Sequence, residues 1–193
     1  MKAIVVFCGS NEGKDPVMGE MAYGLGRYLA ENKINLVYGG ARIGIMGKVA
    51  QGALDHRGTV IGVIPDFLKS REVYHTGLSR LIVTENMHQR KLEMHELSDG
   101  IITLPGGCGT MEELFEMVTW GQLGLHHKPI GILNINGFYD CLLQFLEETV
   151  QKGFVKQEHY NMLLVESSIE GLLEKMGDYK PPKTTKWINK DQV

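Results

Sequence analysis

Leu104-Pro105-Gly106-Gly107-Cys108-Gly109-Thr110-Met111-Glu112-Glu113 joins two segments of different periodicity. Before it, Gly100-Ile101-Ile102-Thr103-Leu104 is a short apolar run of β type. After it, Met111, Leu114, Phe115 and Val118 recur at helical spacing. The glycines therefore fall where a strand turns into a helix. Such a turn gathers backbone N–H groups around an anion, and the helix N-terminus adds partial positive charge. Glycines also let a ligand approach the main chain without meeting a Cβ. The run reads as a phosphate cradle with a carboxylate at its edge, and it points to an enzyme acting on a phosphorylated small molecule.

The same alternation extends in both directions. Strands are predicted at Ala3–Cys8, Ile34–Tyr38, Thr59–Ile64, Leu81–Thr84, Gly100–Leu104, Pro129–Leu133 and Met162–Val165. Helices are predicted at Asp15–Asn32, Gly44–His56, Asn86–Leu97, from Met111 onward, at Phe138–Val150 and at Ile169–Met176. Near-continuous apolar strands separated by helices predict an α/β fold: a Rossmann-like, doubly wound, mainly parallel sheet with helices on both faces. Residues 1–178 read as one catalytic domain and 179–193 as a C-terminal tail. In that tail Trp187 and Ile188 suggest docking against a partner subunit.

With 193 residues, 43% hydrophobic and 22% charged, the chain is long enough for one domain with a real core. A formal net charge of −3 gives no electrostatic case for nucleic acid. The cysteines Cys8, Cys108 and Cys141 are too scattered for a disulfide framework and fit a reducing compartment. The first residues read as a strand rather than a signal peptide, and no apolar run reaches membrane-spanning length. A cytoplasmic protein without a membrane partner is expected.

Two further glycine turns follow predicted strands, Cys8-Gly9-Ser10-Asn11-Glu12-Gly13 and Tyr38-Gly39-Gly40-Ala41-Arg42-Ile43-Gly44. Any one of them has a plain reading as a tight turn. Three on one sheet edge favour a nucleotide-type ligand, which in open α/β sheets binds beyond the carboxyl ends of the strands. From Gly39 the spacing is G-x-A-x-x-G, a weak dinucleotide fingerprint even with Asp66 after the next strand. No Gly-Lys-Ser/Thr occurs, which argues against ATPase or kinase chemistry.

Thr110-Met111-Glu112-Glu113 fits a capping box, so Glu113 has a structural reading as a helix cap. Its functional reading is equally strong. A carboxylate beside a phosphate repels the ligand unless positive charge develops between them, as at the ribosyl carbon during N-glycosidic cleavage. Arg90, in Met87-His88-Gln89-Arg90-Lys91, can pair with phosphate or carboxylate, or belong to a solvated basic face. His88 with His95, and His126 with His127, lack the additional ligands of a metal site; no metal and no cofactor are expected. Cys108, inside the anion loop, reads either as a nucleophile or, more simply, as a side chain that faces the pocket or packs.

Pro105–Glu113 fits P-G-G-x-G-T-x-x-E, and Met87–Lys91 fits M-H-x-R-K. Together these motifs resemble the Lonely Guy family of cytokinin riboside 5′-monophosphate phosphoribohydrolases, whose relatives often carry a lysine decarboxylase label. The likeness also takes in the Gly9-Ser10 loop, the Tyr38–Gly47 loop and Thr119–Leu123, and covers nearly the whole chain. It implies hydrolysis of a nucleoside 5′-monophosphate to free base and ribose 5-phosphate, in a homodimer. It assigns Arg90 and Glu113 as the catalytic pair. It places the substrate on Glu72, Met87, Lys91, Gly106, Gly107, Cys108, Gly109, Thr110 and Thr119. Met46, Met87 and Trp120 are candidates for the wall around the base. Ala41 departs from the family, which commonly carries a third glycine there. The runner-up is a nucleotide-binding carrier or sensor without turnover.

Overall fold

A computed structural model describes residues 1–69 and 74–182. The strands are β1 (Ala3–Phe7), β2 (Asn35–Tyr38), β3 (Val60–Pro65), β4 (Arg80–Thr84), β5 (Gly100–Thr103), β6 (Ile130–Leu133) and β7 (Leu163–Glu166). They form one seven-stranded sheet in the order β4-β3-β2-β1-β5-β6-β7, every pairing parallel. The chain winds outward from β1 to β4, then crosses back to place β5 on the other side of β1. That reversal leaves a crevice at the carboxyl ends of β1 and β5, the usual ligand position in such sheets.

Alternate residues of the strands face opposite helical layers. Ile4, Val6, Leu36, Tyr38 and Ile102 pack with Leu25 and Leu29 of α1 (Pro16–Glu31), Val49 of α2 (Gly44–Asp55) and Leu172 of α8 (Ile169–Gly177). Val5, Phe7, Val37, Ile101 and Ile130 pack with Met94 of α4 (Met87–Glu96) and with Leu114 and Met117 of α5 (Cys108–Gln122). Two four-residue helices, α3 (Asp66–Lys69) and α7 (Gln157–Tyr160), were not read from the sequence and are too short to carry a periodic signal. Among the described residues no helix is long and apolar enough to cross a membrane.

Asp15 lies just outside α1 as its cap, its carboxylate accepting from the Val17 N–H at 3.0 Å. The helix α6 (Asp140–Gln151) starts two residues after the predicted Phe138. A 3-10 turn at Ile135–Gly137, with Asn136 at φ 50° and Gly137 at φ 71°, delays it. The largest shift is at α5, which begins at Cys108 rather than Met111. Gly107 is the cap, in extended conformation, and Thr110 lies inside the first turn. The capping-box reading of Thr110 and Glu113 is thereby overturned: a residue already helical cannot be the residue that precedes the helix.

Candidate functional site

Three glycine-bearing turns meet at the crevice. The Gly9 N–H donates to the Pro105 carbonyl at 3.0 Å, and the Met46 N–H donates to the Gly9 carbonyl at 3.2 Å. These bonds bind the turns after β1, β2 and β5 into one wall. Behind it, the buried Tyr139 hydroxyl donates to the Leu104 carbonyl at 2.7 Å and fixes the start of the Pro105–Gly107 turn. A Cβ on Gly106 would overlap the Thr110 hydroxyl, so the turn closes onto the helix only with glycine there. The wall encloses a cavity of about 630 Å³, a size suited to a small-molecule ligand. Gly106, Gly107, Cys108, Gly109 and Thr110 all line it.

Arg90 enters from α4 and is 6% exposed. Its Nε donates to the Val63 carbonyl and one Nη to the Gly39 carbonyl, both at 3.1 Å. Carbonyls of β3 and of the turn after β2 thus orient the guanidinium toward the cavity, which it lines. A Cβ on Gly39 would collide with that Nη. The glycine of the second turn therefore makes room for a side chain of this protein, a reason invisible in its spacing. A solvated basic face is excluded for Arg90 by its burial.

Glu113 projects into the same cavity from the first turns of α5, half-buried. Burial pushes its carboxyl up to about 7, against the downward pull of the Arg90 guanidinium. Glu112 and Glu116 add to the rise and Lys91 opposes it. A carboxyl poised near neutrality beside a buried guanidinium can hold or release a proton at working pH. The Cys8 thiol, also lining the cavity, is driven well above its ordinary range, first by burial, then by Glu113, with Arg90 opposing.

The structure brings together Met87, Arg90, Gly106–Thr110, Glu113 and Met46. It does not bring Lys91, Thr119, Trp120 or Asp66 to the cavity lining. Lys91 is buried on Glu112 and Glu116. Thr119 is exposed farther along α5, its hydroxyl donating to the Phe115 carbonyl at 2.7 Å. Trp120 packs edge-on against His95, ring centroids 5.4 Å apart. Glu72 lies outside the described residues, as do Trp187 and Ile188. Ala41 is fully buried and bridges Tyr74 in antiparallel fashion, so the alanine serves as core at this turn.

Cys108 is exposed at the cavity mouth. His126, expected at the surface, is buried, with Nε2 2.8 Å from the Met117 carbonyl and Nδ1 accepting from the Lys128 N–H at 3.1 Å. Among the described residues no group of three or more His, Cys, Asp or Glu could hold a metal ion. Sequence reasoning missed Met94 and Phe138, which also line the cavity. Met94 was legible only as part of an apolar helical stripe. Phe138 was placed inside a helix that in fact starts beyond it.

Fold and site define a Rossmann-like α/β protein with a glycine-walled cavity that holds an arginine and a carboxyl. Residues 46–176 match the family described as possible lysine decarboxylase. The chain is 47% identical to a cytokinin riboside 5′-monophosphate phosphoribohydrolase of Rhodococcoides fascians, covering 89% of this chain and 87% of that one. It is 44% identical to the Arabidopsis thaliana enzyme of the same name, LOG7, covering 93% and 83%. This chain belongs to that family, the Lonely Guy family of cytokinin riboside 5′-monophosphate phosphoribohydrolases. Among solved structures it resembles a molybdenum cofactor binding protein from Rippkaea orientalis. The identity there is 25% with a TM-score of 0.69, covering 92% of this chain and 97% of that one.

Proposed function

We propose that this protein hydrolyses the N-glycosidic bond of a cytokinin-type nucleoside 5′-monophosphate, releasing free base and ribose 5-phosphate. The observation that carries the reading is the placement of Arg90 and Glu113 in one cavity behind the Gly106–Thr110 turn. Family membership supports the same reaction, because the relatives are named for it.

In this reading the backbone N–H groups at Gly107–Thr110 and the α5 N-terminus hold the 5′-phosphate. Arg90 offsets the negative charge that phosphate and carboxylate bring together. The bond from the ribosyl carbon to the base nitrogen breaks with its electron pair going to the base. Ionised Glu113 stabilises the positive charge left on the carbon and accepts a proton from the water that adds there, and that proton passes to the base nitrogen to give the free base. Met87 and Met46 stand on the cavity wall to meet the base. Residues 1–178 form the catalytic unit, which acts in the cytoplasm as a homodimer.

The test is product chromatography after incubation with AMP and with N6-isopentenyl-AMP, with Glu113→Gln in parallel. Free base from the unaltered protein alone supports hydrolysis, and the ratio between substrates ranks the bases. Intact substrate in every sample, with nucleotide bound, overturns it. That outcome favours the second reading, a carrier, which the likeness to the molybdenum cofactor binding protein brings forward.

A further inference from the structure

Two adjacent ionisable residues on α4, Arg90-Lys91, face two on α5, Glu112-Glu113. Neighbours on a helix point about 100° apart, so Arg90 and Lys91 part between two environments. Arg90 and Glu113 go to the cavity, whose lining Glu112 also reaches. Lys91 turns the other way and is 5% exposed. Its Nζ donates to Glu112 Oε1 at 2.5 Å and to Glu116 Oε1 at 3.0 Å. Those carboxylates lie four residues apart, so one ammonium bridges a full turn of α5. Like charges at that spacing repel when nothing stands between them.

The arrangement leaves Lys91 little with which to hold a ligand. Two of its three N–H donors are taken, and the carboxylates offset its charge. The dependence also runs in reverse. Among the described residues Glu116 Oε2 is buried without a hydrogen-bond partner, so this carboxylate relies on Lys91 for compensation.

We propose that Lys91, clamped between Glu112 and Glu116, is a positioning residue that locks α4 to α5 and so fixes where Arg90 and Glu113 stand across the cavity. The proposal rests on the hydrolytic reading of that cavity. The charged and titratable groups around Glu113 are Arg90 and Lys91 from α4, Glu112 and Glu116 from α5, and the Cys8 thiol from the turn after β1. Lys91 holds the Glu113 carboxyl down and Glu116 holds it up, so removing one or the other moves its titration in opposite directions.

The experiment compares Lys91→Met, Lys91→Arg and Glu116→Gln with the unaltered protein. One readout is carbon-13 NMR titration of the Glu113 carboxyl, assigned with Glu113→Gln. The others are calorimetric binding of ribose 5-phosphate, and kcat and KM on AMP. Lys91→Met is expected to raise the Glu113 midpoint and Glu116→Gln to lower it, each by about half a pH unit. Lys91→Met lowers kcat by about tenfold or more with ribose 5-phosphate affinity within about threefold, and Lys91→Arg restores most of the loss. An unmoved midpoint together with a tenfold or greater loss of ribose 5-phosphate affinity makes Lys91 a phosphate ligand and overturns the proposal. If Lys91→Met fails to fold, Glu116→Gln decides: it retains the Lys91–Glu112 pair, and an unmoved Glu113 midpoint overturns the proposal. The titration needs no turnover. Absence of hydrolysis by the unaltered protein therefore removes the proposed function, whereas an unmoved midpoint removes the Lys91 clamp, and the two failures are told apart.

Discussion

The two faces of the sheet are covered by the same kind of layer and carry different chemistry. Under α1, α2 and α8 the buried side chains are apolar apart from the Tyr38 hydroxyl and the Cys8 thiol, with Leu25, Leu29, Val49 and Leu172 fully buried. On the α4 and α5 side the buried set includes Arg90, Lys91, His95, Thr110 and His126. One face is built to hold the sheet flat against helices. The other burdens its packing with charged and polar groups, each of which costs free energy unless a partner is supplied. Three of them have partners in hand: backbone carbonyls for Arg90, two carboxylates for Lys91 and a carbonyl for His126. Of these buried polar residues, Arg90 and Thr110 reach the cavity.

The largest break in this comparison is expected from Glu113→Gln, which removes one proton site and little volume. Turnover falls by about a thousandfold or more while nucleotide affinity, measured by calorimetry, stays within about tenfold. Equal turnover would return Glu113 to a packing role and make the two faces alike. Next comes Gly39→Ala, whose added methyl meets the Arg90 guanidinium and the Met46 sulfur. A loss of about a hundredfold in kcat/KM is expected, with a thermal unfolding midpoint close to that of the parent. Leu25→Ala, on the opposite face, should do the reverse. It costs about 2–5 kcal/mol of stability by chemical denaturation and leaves kcat within about twofold.

The smallest effect concerns pH. In the unfolded chain Glu113 titrates near the ordinary value of 4.5, and in the folded chain near about 7. The stability this group confers is complete below the lower value and is lost as pH rises through the upper one. Glu113→Gln has no such loss. The variant should therefore match the parent in denaturation at pH 4 and exceed it by about 1–3 kcal/mol at pH 8.

Strand order along the chain, the parallel sheet and the cavity edge were legible because each rests on local signals: apolar runs, helical spacing, and glycines between them. The Gly106–Thr110 turn was legible for the same reason. The start of α5 was not, since glycine tolerates helical and extended geometry alike and Thr110-x-x-Glu113 offered a plausible false cap. Nor was the sorting of neighbours. Arg90 and Lys91 are indistinguishable as letters, and only the register of α4 against α5 sends one to the cavity and the other to a pair of glutamates. His126 shows the same limit, because a histidine beside a surface-like histidine gives no sign that the chain will fold over it.

The strand order also has a consequence for synthesis. β1 and β5 are neighbours at the centre of the sheet, with Ile4 beside Gly100. At ribosomal rates of about 5–20 residues per second, some 5–20 seconds separate their emergence. During that interval β1 can pair with β2 on one edge only, and its other edge, unpaired, is open to association with other chains. The cavity lies on that seam, and its floor cannot exist before residues 100–113 emerge. A nascent chain stalled ahead of them is a half-sheet with an apolar flank, a natural client for a chaperone.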